Sequence, residues 1–232
     1  MPVIYHHEVT VSELPENATA KMHLLCVEIK DVHENATDLI SGLNDTSWIT
    51  QLNPFARMSY ELTARRTIDA LVEIFKLVQN EVTEEFGEYM VSISATEGMK
   101  QQLAHQVFPI SELWKEKILG NHGFDFHTES VHEHVSFGEA KYNSRDNPYS
   151  DAASQILDFI TLGKDYRDTW DLINFASPNA IQNLQNRRRG FAVAFSLNSK
   201  NHVQILDNAL KSDLIKLLSR QCNELYIIGV KA

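Results

Sequence analysis

Residues 122–143 read HGFDFHTESVHEHVSFGEAKYN. Two runs in this stretch, Phe124 to Val131 and His134 to Tyr142, have the aromatic and β-branched content of strands, with a polar turn region between them. Successive side chains on a strand point to opposite faces, so Asp125 and His127 are expected on one face and Phe124 and Phe126 on the other. On the second strand Val135, Phe137, Glu139 and Lys141 point the same way, so that face begins apolar and ends in a carboxylate and an ammonium. A buried charge costs several kcal/mol, on the order of the effective penalties for ions in protein interiors, unless it is paired or holds a metal. Acids at the end of an apolar strand therefore need a chemical reason. Asp125 and Glu139 on adjacent strands can offer hard oxygen ligands to Mg²⁺ (or Mn²⁺), with the backbone carbonyl of Ala140 as a third. Lys141 would then orient the attacking water or stabilise negative charge on phosphorus oxygens. Phosphodiester hydrolysis is the reaction that suits these groups.

Outward from this stretch, residues 3–11 and 22–30 read as strands able to pair as a hairpin with a long loop. Residues 59–78 carry an apolar helical stripe, with Leu62, Ile68, Leu71, Val72, Phe75 and Val78 recurring at three and four residues. A second helix is expected at 96–107, with Met99, Leu103 and Val107 as its stripe and Pro109 as its stop. After the paired strands come a helix at 150–162, helical stretches at 165–174 and 178–188, a strand at 191–197, a helix at 207–219 and a strand at 225–230. Strands and helices alternate through the second half, which predicts an α/β fold: a central sheet with helices on its faces. No internal repeat or Gly/Ser-rich linker marks a boundary.

The chain has 232 residues, enough for one sizeable core, and its composition is 43% hydrophobic and 22% charged. Its net charge of −10 argues against autonomous grip on duplex DNA, which rests mainly on Lys and Arg neutralising phosphates. Cys26 and Cys222 form neither a disulfide framework nor a thiolate zinc motif, which suits a reduced compartment. With no signal-peptide pattern and no apolar run of membrane-spanning length, a cytoplasmic protein with no membrane partner is expected.

A Glu-x-Lys arises about once by chance in a chain of this size, so its neighbours must give it weight. Asp125, a spacer, Gly138-Glu139-Ala140-Lys141-Tyr142 closing an apolar strand, and a following helix with Ser154-Gln155 together resemble the PD-(D/E)xK nuclease superfamily. Within it, HGFDFH followed by VSFGEAKYN and SDAASQILDFI resembles the nuclease subunit family of the Hachiman anti-phage defence system. The likeness covers roughly residues 95–165. It implies a mixed central sheet flanked by helices, with a restriction-endonuclease-like core at 95–232 and an N-terminal α/β extension at 1–94. It further implies a Mg²⁺-dependent DNA nuclease acting as effector beside a helicase subunit, as a heterodimer in which the helicase supplies most of the DNA grip and activity is restrained until it engages DNA. For the site it implies an acid from the helix before the Asp strand, often in a Gly-Glu pair. Glu97, in Thr96-Glu97-Gly98-Met99, is assigned that role although its glycine follows it. It also implies that Gln155 orients Lys141 or a water.

The neighbouring polar residues have plainer readings beside functional ones. His127 is either a phosphate or water contact or a satisfied core histidine; Tyr142 and Asn143 are either substrate contacts or packing and loop residues. Arg187, Arg188 and Arg189 form either a local phosphate-contact patch or a solvated helix end, and Arg65-Arg66 is a lesser basic pair. A zinc site drawn from His122, His127, His132 and His134 is a rival, though no helical His pair supports it. The rival from another class is a non-catalytic subunit that keeps a nuclease-like sheet and binds a partner helicase or DNA ends.

Overall fold

The computed structural model describes residues 1–77, 83–115 and 123–231. His122 and Val78 lie outside the described residues. The two central strands pair antiparallel as β4 (Phe126–Glu129) and β5 (Val135–Lys141), with Phe126 opposite Gly138 and His127 opposite Phe137; β4 is half its expected length, and Phe124, which precedes it, packs with His127 and Phe137 rather than on the Phe126 face, because the strand alternation does not extend back to it. They belong to a seven-stranded mixed sheet of order β1-β2-β7-β6-β5-β4-β3, which also contains β1 (Val3–Glu8), β2 (Lys21–Glu28), β3 (Gln106–Val107), β6 (Gly190–Ser196) and β7 (Glu224–Lys231). β5, β6, β7 and β2 run parallel to one another; the β1–β2, β5–β4 and β4–β3 pairs are antiparallel. The parallel strands are buried along nearly their whole length, which is why FAVAFS and LYIIGV read as continuous apolar runs rather than alternating ones.

Strands β1 and β2 do pair antiparallel, and β2 pairs in turn with β7, from Lys21 opposite Glu224 to Glu28 opposite Lys231. The first strands are thus members of the same sheet as the site. The boundary expected at residue 94 falls inside α4 (Glu84–Leu103), which packs on β1, β2, β4, β5, β6 and β7. Thr83 starts this helix, its side chain accepting from the Phe86 N–H, and Ala104 in the left-handed region ends it. The helix starts twelve residues before the expected position. Phe86, Gly87, Tyr89, Met90, Val91, Ser92, Ser94 and Ala95 are all buried, so the segment lies within the protein on most sides and shows no amphipathic stripe to read.

The helix expected at 59–78 is α3 (Pro54–Leu77), preceded by α1 (Val32–Asn44) and the single turn α2 (Ser47–Thr50), neither of which was expected. On the sheet's other side lie α5 (Tyr149–Thr161), α6 (Lys164–Leu172) and α7 (Pro178–Gln185). The helix expected at 207–219 is two helices, α8 (His202–Leu210) and α9 (Asp213–Leu218), because Ser212 turns away to cap the Ile215 N–H. Among the described residues no helix is long and apolar enough to cross a membrane.

Candidate functional site

Glu139 is fully buried on β5, and it lies beside Asp125, which immediately precedes β4. The Ala140 N–H donates to Asp125 Oδ2 at 2.7 Å, fixing that carboxylate across the strand pair, and the Asp125 N–H donates to the Gly138 carbonyl. Asp125 is thus turned toward the Glu139 segment by the backbone itself. Glycine is needed at 138: a Cβ there would stand 2.1 Å from the fully buried Phe126 ring.

Lys141 Nζ bridges two carboxylates, 3.0 Å from Glu139 Oε1 and 3.0 Å from Glu88 Oε1 on α4. Glu139 Oε2, by contrast, is buried with no hydrogen-bond partner. Burial foremost, then the Asp125 charge, pushes the Glu139 carboxyl well above the usual carboxylate range. Asp125 is pushed up to about 7, again chiefly by burial and then by Glu112, against the pull of the Ala140 N–H and Lys141. Burial opposes the charge on Lys141, but Glu139, Glu88 and Asp125 outweigh it and hold the ammonium above its ordinary range. Lys141 is therefore a fixed cation.

The acid that α4 brings to this cluster is Glu88, which was not foreseen. Glu97 stands nine residues further on, about 13 Å along the helix axis, half-exposed and 3.8 Å from Lys100. Gly87-Glu88 has the glycine-first order that the resemblance implies, and its glycine has a steric purpose. A Cβ at 87 would lie 2.1 Å from the Tyr142 ring, so α4 approaches the end of β5 only because that Cβ is missing. Replacing Gly87 by Ala should cost about 1–3 kcal/mol of overpacking and pull Glu88 off Lys141, whereas Gly42→Ala in α1, where nothing lies within 4 Å, should be neutral or stabilising. Urea unfolding of the two variants checks the contrast; equal midpoints would contradict it.

The remaining candidates are spread out. Tyr142 packs on Gly87, and Asn143 organises its own loop: its Oδ1 accepts from the Arg145 and Asp146 N–H groups, while its backbone N–H donates to Ser196 Oγ. Gln155 is half-buried on α5 and makes no side-chain hydrogen bond among the described residues. His127 shares the Phe137 face, but both ring nitrogens are engaged, with Ser111 Oγ and Asp168 Oδ2 each at 3.1 Å. It is a satisfied core histidine. His134 faces Glu224 at 3.4 Å and His132 is exposed, so the described histidines of the proposed zinc cluster do not converge. Arg187, Arg188 and Arg189 precede β6, at the Ser136 end of β5 rather than the Lys141 end, roughly 16 Å away along the strand.

No family model matches the chain, and neither curated proteins nor solved structures give a significant match. Among the described residues no three His, Cys, Asp or Glu side chains group closely enough to hold a metal ion. Asp125 and Glu139 do fit the oxygen donors of a hard divalent cation: two neighbouring carboxylates, one with a buried oxygen left without a partner, both disfavouring their own charge until a cation neutralises it. Ala140, whose carbonyl was expected as a third ligand, sits opposite Ala194 in the β5–β6 ladder, between the two.

Proposed function

We propose that this chain is a divalent-metal-dependent phosphodiesterase of the PD-(D/E)xK kind that acts on DNA, and that it is the nuclease subunit of an anti-phage assembly with a helicase. The observation that carries this reading is the convergence of Asp125, Glu139 and Lys141 at one end of an antiparallel strand pair, with Glu88 completing the surroundings of the lysine. Mg²⁺ held by Asp125 and Glu139 would supply charge neutralisation at the phosphate and a more acidic water. Lys141, locked between two carboxylates, places a positive charge where the phosphorus oxygens become more negative during attack. Glu88 keeps that ammonium in position from the helix side.

Two further features support the assembly. The net charge of −10 leaves the isolated chain a weak DNA binder at physiological salt, as expected of a subunit that relies on a partner for grip. An apolar stripe on α3, Phe55, Met58 and Leu62, is exposed, and so are Trp170 and Ile173 on and just beyond α6. The two are neighbours, tied by Tyr60 to Asp171 and by Asn53 to Asn174. Exposed apolar surface of this kind marks a docking face.

The test is digestion of plasmid DNA by the purified assembly with Mg²⁺ and with EDTA. Cleavage that requires Mg²⁺ and disappears in Lys141→Ala is expected; equal cleavage by wild type and Lys141→Ala would overturn the reading. The second reading, a non-catalytic subunit with a nuclease-like sheet, is favoured by one observation: no third acidic or imidazole ligand closes on Asp125 and Glu139 among the described residues. It predicts a partner or DNA-end interaction that survives loss of both carboxylates.

A further inference from the structure

At the amino ends of β2, β6 and β7, away from the carboxylate pair, lies a groove of about 480 Å³. Three arginines line it, Arg187, Arg189 and Arg220, with Tyr166 and Asn223 beside them and no acidic side chain among the described lining residues. In a chain of net charge −10, such a concentration of guanidinium groups is the opposite of the average surface.

The side chains of Arg189 and Arg220 are held in place while keeping donors to spare, and Arg187 is positioned by its backbone. Arg189 is nine-tenths buried; its Nε pairs with Asp165 at 2.8 Å, its Nη1 donates to the Arg187 carbonyl, and its plane lies between the Tyr166 and Phe191 rings at 5.5 and 5.4 Å. Asp165 is thereby occupied with Arg189. Arg220 anchors itself through Nε and Nη2 on the Glu16 carbonyl, using two of its five N–H groups. Arg187 sits at the end of α7 with φ of +60°, its N–H on the Leu184 carbonyl, and the next residue's N–H returns to Asn183. That left-handed position is one where glycine or asparagine is usual and any other side chain costs about 1 kcal/mol or more. An arginine in a strained conformation stands there, at the rim of the groove.

Two anchored guanidinium groups, with a third at the rim and unspent donors around a shared space, suit a tetrahedral oxyanion. We propose that this groove is a second anion site, which takes a phosphate group carried either by a free small molecule or by a nucleic-acid backbone. It is independent of the carboxylate pair and needs no metal.

The experiment uses the full chain in EDTA at low ionic strength. Calorimetry with inorganic phosphate, against chloride-matched buffer, reads the small-molecule arm; fluorescence anisotropy with a short DNA duplex reads the backbone arm. Arg187→Gly suits the backbone conformation and should fold at least as well as wild type, yet bind phosphate about tenfold more weakly, as should Arg220→Gln. If duplex binding and its salt dependence fall in parallel, the phosphate is a nucleic-acid one; if duplex binding is unchanged while phosphate binding is lost, it belongs to a small molecule. Failure of wild type to bind phosphate, or binding by both folded variants as tight as wild type, would overturn the proposal.

Discussion

Glu139→Gln is expected to lower DNA cleavage by the assembly about a thousandfold and, in the same protein, to raise its stability in EDTA. The loss of activity follows from removing one of the two cation-binding carboxylates, since a charge-stabilising group aimed at the reacting centre contributes about 10²–10³ in rate. The gain in stability follows from burial. Glu139 is fully enclosed, its Oε2 has no partner, and burial with the nearby Asp125 raises its carboxyl far above the usual range in spite of Lys141. A folded-state pKa that is raised stabilises the protein below the unfolded value and withdraws that contribution as pH rises toward the folded one. Because the Glu139 carboxyl is held well above the ordinary carboxylate range, wild type should lose stability relative to the variant as pH rises above that range, while Asp125, which titrates toward about 7, is common to both proteins. The amide removes the buried charge, so at pH 7 to 8 without metal the variant should be about 1–2 kcal/mol more stable. Thermal unfolding in EDTA and in Mn²⁺ separates the effects: Mn²⁺ should raise the wild-type midpoint and leave the variant's unchanged. A variant less stable than wild type in EDTA, with full cleavage, would contradict both arguments.

Asp168→Ala should be the most destabilising single change among the polar groups described. Asp168 Oδ2 accepts from Lys115 Nζ and faces His127 Nε2, while His127 Nδ1 meets Ser111 Oγ, so one carboxylate on α6 ties β4 to the turn at Ser111–Leu113. Burial opposes ionisation of Asp168, but the bonds from His127 and Lys115 outweigh it and hold its carboxyl below the ordinary range. Taking the acceptor away strands a buried imidazole and a largely buried ammonium. Breaking such a pair from one side costs about 3–5 kcal/mol, a large share of the roughly 5–15 kcal/mol that keeps a domain folded. His127, pushed down to about 4 chiefly by burial, adds a pH signature: its contribution is complete above about 6.5 and is lost as pH falls toward 4. Urea unfolding of Asp168→Ala beside Asp158→Ala, an exposed site on α5, tests this. Equal midpoints would show that the network does not brace the fold.

How much of this was legible in the sequence depends on the kind of signal. β5, α5 and the apolar runs of β6 and β7 follow from local periodicity and lie within about a residue of their expected bounds, whereas β4 is half as long as its aromatic run suggests. The first half of α4 was not, because a helix buried on most sides erases the contrast that periodicity detects, and Glu88 was lost with it. Gly87 followed directly by Glu88 was the available signal, but its meaning depends on Tyr142, which meets it only across the folded chain. The same limit applies to the arginines. A run of three was visible, while Arg220 joins two of them through strand order alone, and their separation from Lys141 is a matter of register. His127 shows the converse: its alternation with Asp125 suggested a place in the chemistry, and two bonds absent from any local pattern assign it to the core.

On the proposed reading, Asp125 and Glu139 hold a divalent cation beside Lys141. Calorimetric titration of the purified chain with Mn²⁺ at neutral pH tests it most directly. Saturable binding to the wild type is expected, lost in both Asp125→Asn and Glu139→Gln, while Arg187→Gly binds as the wild type does. No binding to the wild type, or undiminished binding to the two carboxylate variants, would contradict it.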